Sequence, residues 1–264
     1  MADESGKIHQ VGFTYRYLYG VQELRRRIRE GQIGEPYFIR VQYDSWEGLH
    51  PSWKVGWREK SALAGGGVLF DVGSHLFDIC QFILGPIHAI TGFTHHIPRR
   101  RVDDRTNLQT DVETDDIAAA WFRHENGARG QWFISRATVP QPNNRWLEII
   151  GPEGALRASL SRGTVDTLQI SYPCRSDWET VPLPESASDM RPHALTRMMK
   201  SFVDACLGGR LDEDIDASFY DGLAVQRGIH AVSVANDQLT EVRLPEMRVR
   251  KSQANGLLLQ MPEP

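Results

Sequence analysis

The residues that could do chemistry lie in one run, Gly65-Gly66-Gly67-Val68-Leu69-Phe70-Asp71-Val72-Gly73-Ser74-His75-Leu76-Phe77-Asp78. Asp71 and His75 stand four residues apart, which puts them on one face if the segment is helical. Asp78, seven residues after Asp71, would fall on the same side. Imidazole titrates nearer neutrality than other side chains, and a carboxylate beside it orients the ring and stabilises its protonated form. Such a pair can take the proton of an alcohol while a hydride departs elsewhere. The same spacing also serves a surface ion pair or a buried hydrogen bond. A metal centre needs three or four ligands. No HxH, HExxH or CxxC pattern supplies them, and His50, His95 and His96 could join only through the fold, so no metal is expected.

The elements that must position this pair follow from periodicity. Val68, Leu69, Val72, Leu76, Ile79 and Ile83 predict a helix over 68–84, closed by Gly85-Pro86. Gly73 inside it costs about 1 kcal/mol relative to alanine, which implies that something approaches the backbone there. The triple glycine permits a tight turn beside a ligand. Upstream, 8–15 reads as a buried strand, 18–30 as a helix with Val21, Leu24 and Ile28 on one face, and 37–43 as a strand. A polar loop rich in tryptophan spans 46–57. Downstream, 117–122 and 128–136 flank His124-Glu125-Asn126-Gly127, a hairpin signal. A second hairpin joins 146–150 to 155–160 through Gly151-Pro152-Glu153-Gly154. Strands at 165–172, 178–183 and 242–244 and helices at 193–207 and 218–235 complete the reading. The fold class is α+β, a large, mainly antiparallel open sheet with helices packed on one face.

Bulk properties narrow the function. A chain of 264 residues, 41% of them hydrophobic, can bury one sizeable core. Thirty basic and 34 acidic residues leave a formal charge of -4, which implies no general attraction to nucleic acid or an anionic membrane. Arg25, Arg26, Arg27 and Arg29, and Arg99 to Arg101, read as solvated clusters. Cys80, Cys174 and Cys206 form no disulfide framework, and Cys80 and Cys206 fall in apolar helical patterns as core residues. A reducing, cytoplasmic compartment is expected. The polar residues after Met1 lack a signal-peptide pattern, and no apolar run approaches the roughly 20 residues of a membrane span.

Three segments in order carry a family resemblance. They are VGFTYRYLYG…IREGQIGEPYFIRVQY, GGGVLFDVGSHLFD followed by LGP, and HALTRMMKSFVDACLGG…FYDGLAVQRGIHAVSVAN. Together, over about residues 1 to 245, they resemble the Gfo/Idh/MocA family of glucose–fructose oxidoreductase-like and inositol dehydrogenase-like enzymes. The resemblance implies the C-terminal domain of that fold and hydride transfer between NAD or NADP and a sugar, polyol or related hydroxyl compound. It implies Asp71 and His75 as catalytic residues, the histidine accepting the hydroxyl proton. It implies Trp57 and Arg58 at the substrate cleft, Arg16 near the cofactor, and a homo-oligomer built through the open sheet face. Neighbouring apolar residues such as Trp121 and Phe122, Trp132 and Phe133, and Trp146 with Ile149 agree, because adjacent residues point to opposite faces of a strand.

The departures are a missing GxGxxG and a missing Glu-Lys-Pro segment, whose lysine belongs to the family's catalytic set. Gly65 to Gly67 is not a dinucleotide fingerprint. The expected division is therefore 1–17 as the end of a nucleotide-binding domain, including its last strand, 18–250 as the substrate-binding and oligomerisation domain, and 251–264 as a flexible tail. Met1 would be an internal methionine of a longer enzyme or the start of a truncated one. The alternative function is a non-catalytic ligand-binding or oligomerising module.

Overall fold

The computed structural model describes residues 2–139, 144–160, 166–184, 190–235 and 242–244. Helices α1 (Tyr19–Arg29), α2 (Ser61–Ala64), α3 (Val68–Asp71), α4 (Gly73–Leu84), α5 (Met190–Cys206) and α6 (Phe219–Ala235) accompany two sheets. The large sheet contains β1 (Phe38–Asp44), β2 (Ile87–His95), β5 (Ile117–His124), β6 (Arg129–Ser135), β7 (Arg145–Gly151), β8 (Gly154–Ser159), β9 (Leu168–Ser171), β10 (Glu179–Val181) and β11 (Val242–Arg243). Strands β3 (Arg100–Val102) and β4 (Gln109–Asp111) form a separate ribbon.

The large sheet runs β10-β9-β8-β7-β1-β6-β5-β2-β11. Its pairs are antiparallel except β1 with β6, which is parallel, with Asp44 opposite Ser135. That exception matters for function. Parallel pairing brings the chain exits of both strands to the same sheet edge, where the start of β7 also lies, Arg145 opposite Tyr43. Three connections therefore converge over one end of the sheet.

Strict alternation builds the core. Ile39, Val41 and Tyr43 of β1, Trp132 and Ile134 of β6, and Leu147 and Ile149 of β7 are buried in one cluster with Leu76, Phe77, Cys80 and Ile83 of α4 and Val225, Ile229 and Val232 of α6. Phe77 meets Trp132 edge-on at 5.3 Å. Each such side chain contributes about 1.5–3 kcal/mol on burial, so the sheet fixes α4 firmly.

The opposite face is mixed. Trp121 is 57% exposed there and Phe93 37% exposed, as the adjacent-residue argument requires, while Phe122, Trp132 and Ile149 point into the core. Yet the same face carries a charged row: Glu148 is buried between Arg40 at 2.6 Å and Arg157 at 2.5 Å. Trp146 stacks with both guanidiniums, 5.5 and 5.3 Å from the ring centroid. The face is amphipathic, not a plain aromatic surface.

Both expected hairpins form, β5–β6 through a turn with Gly127 at φ +90° and β7–β8 through Pro152-Glu153. Several expectations need correction. Residues 8–15 are not a strand: no sheet lies beside them to supply a ladder, Val11 bonds to Ala217 across α6's entry, and Ile8 is 38% exposed. Thr14–Tyr17 instead makes a 3₁₀ turn. The 68–84 helix is interrupted at Val72, whose carbonyl takes both the His75 and Leu76 N–H groups. Cys206 is exposed at the end of α5. Residues 61–84 are, by length and composition, apolar enough to span a membrane, contrary to the expectation of short apolar runs, but 61% of their most apolar 18-residue window is buried inside the fold. The start of the 165–172 strand and the 251–264 tail lie outside the described residues.

Candidate active site

A cleft of about 840 Å³ opens at the sheet edge where β1, β6 and β7 converge. Its floor is Tyr43, Ser45, Ile134, Ser135, Arg136 and Arg145, from those three strands and their exits. One wall is the glycine run with α3 and the start of α4, carrying Asp71 and His75. The other is the tryptophan loop with Trp53, Trp57, Arg58 and Glu59. Four of the five site residues expected from the sequence are thus brought together around one space.

The wall carrying Asp71 and His75 is held by an aspartate that periodicity did not mark. Asp115, just before β5, accepts from the Gly67 N–H at 2.6 Å and the Leu69 N–H at 2.9 Å, and its carbonyl accepts from Val68 at 3.1 Å. A carboxylate at a helix N-terminus satisfies free donors and complements the helix dipole. Gly67 is required for this contact, because a Cβ there would lie 2.0 Å from the Asp115 carbonyl oxygen. Gly73 has the role its cost implied, since a Cβ would press on Leu69 and on Ile134 of β6 at 3.3 and 3.4 Å. Its neighbour is the core, through Leu69 and Ile134.

Asp71 is exposed to the cleft, with Arg58 Nε 3.6 Å from its carboxylate, and the Arg58 guanidinium lies 4.3 Å from the Trp57 ring centroid. His75 is half-buried, its ring packed by Phe13 at 5.9 Å and Tyr15 at 5.2 Å, with Nδ1 enclosed. Asp78 departs from the expectation. It is buried on the far side of α4 and does not face the cleft.

Asp78 meets Arg16 there. The guanidinium makes a two-pronged contact, Nη2 at 2.5 Å and Nε at 3.0 Å, and also reaches Asp221 at 2.9 Å and the Ile215 carbonyl. Arg16 is 4% exposed and is not among the residues lining the cleft. Arg16, expected near the cofactor, is a buried cation that locks the 13–17 segment onto the His75 helix. Burial pushes the Asp78 carboxyl up to about 6, although Arg16 pulls the other way.

The tryptophan loop is fixed by a second charged network that sequence reading missed. Glu59 is buried and accepts from Trp53 Nε1 at 3.2 Å, from the Gly56 N–H at 2.9 Å and from Arg136 at 3.2 Å. Arg136 also binds Asp116 at 2.7 Å, and Asp116 takes Arg99 at 2.5 Å. Burial is the largest influence on the Asp116 carboxyl and raises it, but Arg99, the Ile97 N–H and Arg136 together hold it below the ordinary range. Arg99 therefore does not belong to a solvated cluster.

The chain resembles known proteins in sequence and in fold. Residues 21–157 match the family model described as the GFO/IDH/MocA C-terminal domain. Levoglucosan dehydrogenase from Pseudarthrobacter phenanthrenivorans is 27% identical over 177 residues, 62% of this chain and 45% of that protein. scyllo-Inositol 2-dehydrogenase (NAD(+)) from Bacillus subtilis is 28% identical over 153 residues, 58% of this chain and 40% of that protein. The chain thus spans less than half the length of these curated relatives. An NAD binding oxidoreductase from Klebsiella pneumoniae shares the fold, with a TM-score of 0.79 over 93% of this chain and 69% of that one, at 22% identity. The matched segment covers the glycine run, both cleft walls and the first hairpins, and on that ground the chain belongs to the GFO/IDH/MocA family.

Proposed function

We propose that this chain forms the substrate-binding and proton-transfer part of an NAD(P)-dependent oxidoreductase acting on a sugar, polyol or related hydroxyl compound. The observation that carries this reading is the meeting of Asp71 and His75 with Trp57 and Arg58 around one cleft. With His75 Nδ1 enclosed, we assign Nε2 to the substrate hydroxyl. It takes the O–H proton as the carbinol hydrogen leaves as hydride with the C–H electron pair, and the O–H pair closes the C=O bond. Asp71 lies on the same wall of the cleft, where we assign its carboxylate to the charge balance around the reacting hydroxyl. Arg58 and Trp57 orient the substrate from the opposite wall. The names of the relatives, a levoglucosan dehydrogenase and an NAD(+)-dependent inositol dehydrogenase, support the substrate and cofactor classes.

When bound, the dinucleotide supplies the hydride acceptor. Among the described residues no glycine-rich turn joins a strand to a helix N-terminus, the arrangement that cradles a pyrophosphate. The side chains here suit the hydroxyl half of the reaction only. The 264-residue chain by itself is therefore expected to bind NAD(H) and NADP(H) more weakly than the micromolar range, which isothermal calorimetry checks. A micromolar affinity for either would contradict this assignment of roles. Proton transfer itself is tested by His75 substitution, argued in the Discussion.

We also propose a homo-oligomer through the open sheet face, where Trp121 and Phe93 are exposed and the Arg40–Glu148–Arg157 row offers paired charge. Light scattering at tens of micromolar is expected to give a multiple of 29.9 kDa, reduced by Trp121→Arg. A clean monomer of the unsubstituted chain would oppose the proposal. The same exposed face favours, as a second reading, an oligomerising or ligand-binding module without catalysis. Retained assembly and sugar binding with no hydride transfer in any setting would select it.

A further inference from the structure

We infer that the cleft is built for an uncharged glycoside, with the reacting ring at Asp71 and His75 and a second ring or aglycone stacked on Trp53 and Trp57, and that it discriminates against sugar phosphates and sugar acids. The inference rests on the oxidoreductase reading for the place of the reacting ring alone. Two independent observations carry it.

The first is charge. Each arginine lining the cleft already faces a carboxylate. Arg58 lies 3.6 Å from Asp71, Arg136 is held by Glu59 and Asp116 at 3.2 and 2.7 Å, and Arg145 lies 3.4 Å from Glu47 while donating to the Asp44 carbonyl. Among the described residues lining the cleft, three arginines balance Glu47, Glu59 and Asp71. A phosphate would have to pull an arginine from its partner and then sit beside the carboxylate it displaced. Sites that recognise phosphate do the reverse, presenting unpaired guanidinium or N–H donors. Hydroxyl groups, which both donate and accept, suit a wall of alternating paired charges.

The second is the aromatic wall. Trp53 and Trp57 remain 37% and 52% exposed inside a concave site, where large aromatic rings would otherwise be covered. The Trp53 ring is aimed by its N–H bond to Glu59, which Arg136 and, through it, Asp116 and Arg99 hold in place. It is a pre-organised flat surface that spends little entropy on binding, and sugar rings present flat C–H faces to such surfaces. The volume, about 840 Å³, lies in the upper part of the roughly 300–1,000 Å³ range of small-ligand sites.

The test is titration of the chain, followed by saturation-transfer NMR and tryptophan fluorescence, with four probes: glucose, methyl β-glucoside, cellobiose and glucose 6-phosphate. Cellobiose is expected to bind at least about tenfold more tightly than glucose, and glucose 6-phosphate more weakly than glucose. Trp53→Ala should collapse the cellobiose-to-glucose affinity ratio, and Trp53→Phe, which keeps a ring, should largely preserve it, with near-UV circular dichroism reporting the fold. Glucose 6-phosphate binding as tightly as cellobiose, an unchanged ratio in folded Trp53→Ala, or no saturable binding of any probe would overturn the inference. Its fate separates from that of the oxidoreductase reading. The binding pattern without hydride transfer sinks only the enzyme, and hydride transfer with a preference for the phosphate sinks only the glycoside.

Discussion

His75→Ala is expected to lower kcat by roughly 10²- to 10⁴-fold in the enzyme assembled with a nucleotide-binding domain, while the chain stays folded. The ring is half-buried at the cleft wall, so its removal opens space toward the cleft and not inside the core. Its contacts with Phe13 and Tyr15 are among what it loses structurally, about 0.5–1.5 kcal/mol for contacts of that kind. The loss of rate should fall on kcat, because a proton acceptor is needed as the hydride departs and contributes little to ground-state binding. Steady-state kinetics beside a thermal melt checks both halves. Near-normal turnover in a folded variant would leave His75 as a packing residue and remove it from the mechanism.

Arg16→Ala should produce the largest stability loss, about 3–5 kcal/mol, because it strands the buried Asp78 without its principal cation. The penalty should depend on pH, and the sign is fixed. The Asp78 carboxyl already sits near 6 in the folded protein, above an ordinary aspartate, because of its burial. Without Arg16 it moves further up. A group with a raised folded pKa costs stability as pH climbs from its unfolded value through the folded one. The variant should therefore lose more at pH 8 than at pH 5, seen as a wider gap in urea midpoints from the parent chain. Replacing both partners together, Arg16→Met with Asp78→Met, should recover much of the loss, since the fully buried carboxylate goes with its cation and Asp221 keeps a side chain 36% exposed to water. Equal losses at both pH values would mean that Arg16 acts mainly through packing on Phe13 and Phe82.

How far the sequence reached can be traced residue by residue. Both hairpins were legible because turn chemistry is local: Asn126-Gly127 and Pro152-Glu153-Gly154 announce themselves. Helical spacing, which is also local, put Asp71 and His75 on one face, and both line the cleft although the helix breaks between them at Val72. The Asp116–Arg136 contact was within reach but not taken. A turn that pairs His124 with Ala128 sets the register of β5 on β6, and counting outward places residue 116 opposite 136. Arg99, Glu59 and Trp53 were out of reach, since their meeting depends on where the tryptophan loop closes over the sheet edge. Arg16 and Asp78 show a different limit. A buried pair and an exposed functional pair look alike in sequence, and only the face of α4 that packs on the 13–17 segment separates them. The strand expected at 8–15 failed for a related reason, because apolar alternation describes an extended chain but cannot provide the neighbour that makes it a strand.

The central claim is that the hydroxyl proton passes to His75 while a hydride leaves the same carbon. The most direct measurement follows deuterium from the carbinol carbon of a labelled sugar or polyol, in this chain joined to a nucleotide-binding domain. The label is expected on the nicotinamide ring, with a slower rate for the deuterated substrate and loss of transfer in His75→Ala. A protein that binds the sugar in this cleft yet moves no deuterium to NAD or NADP, or moves it equally well without His75, would contradict it.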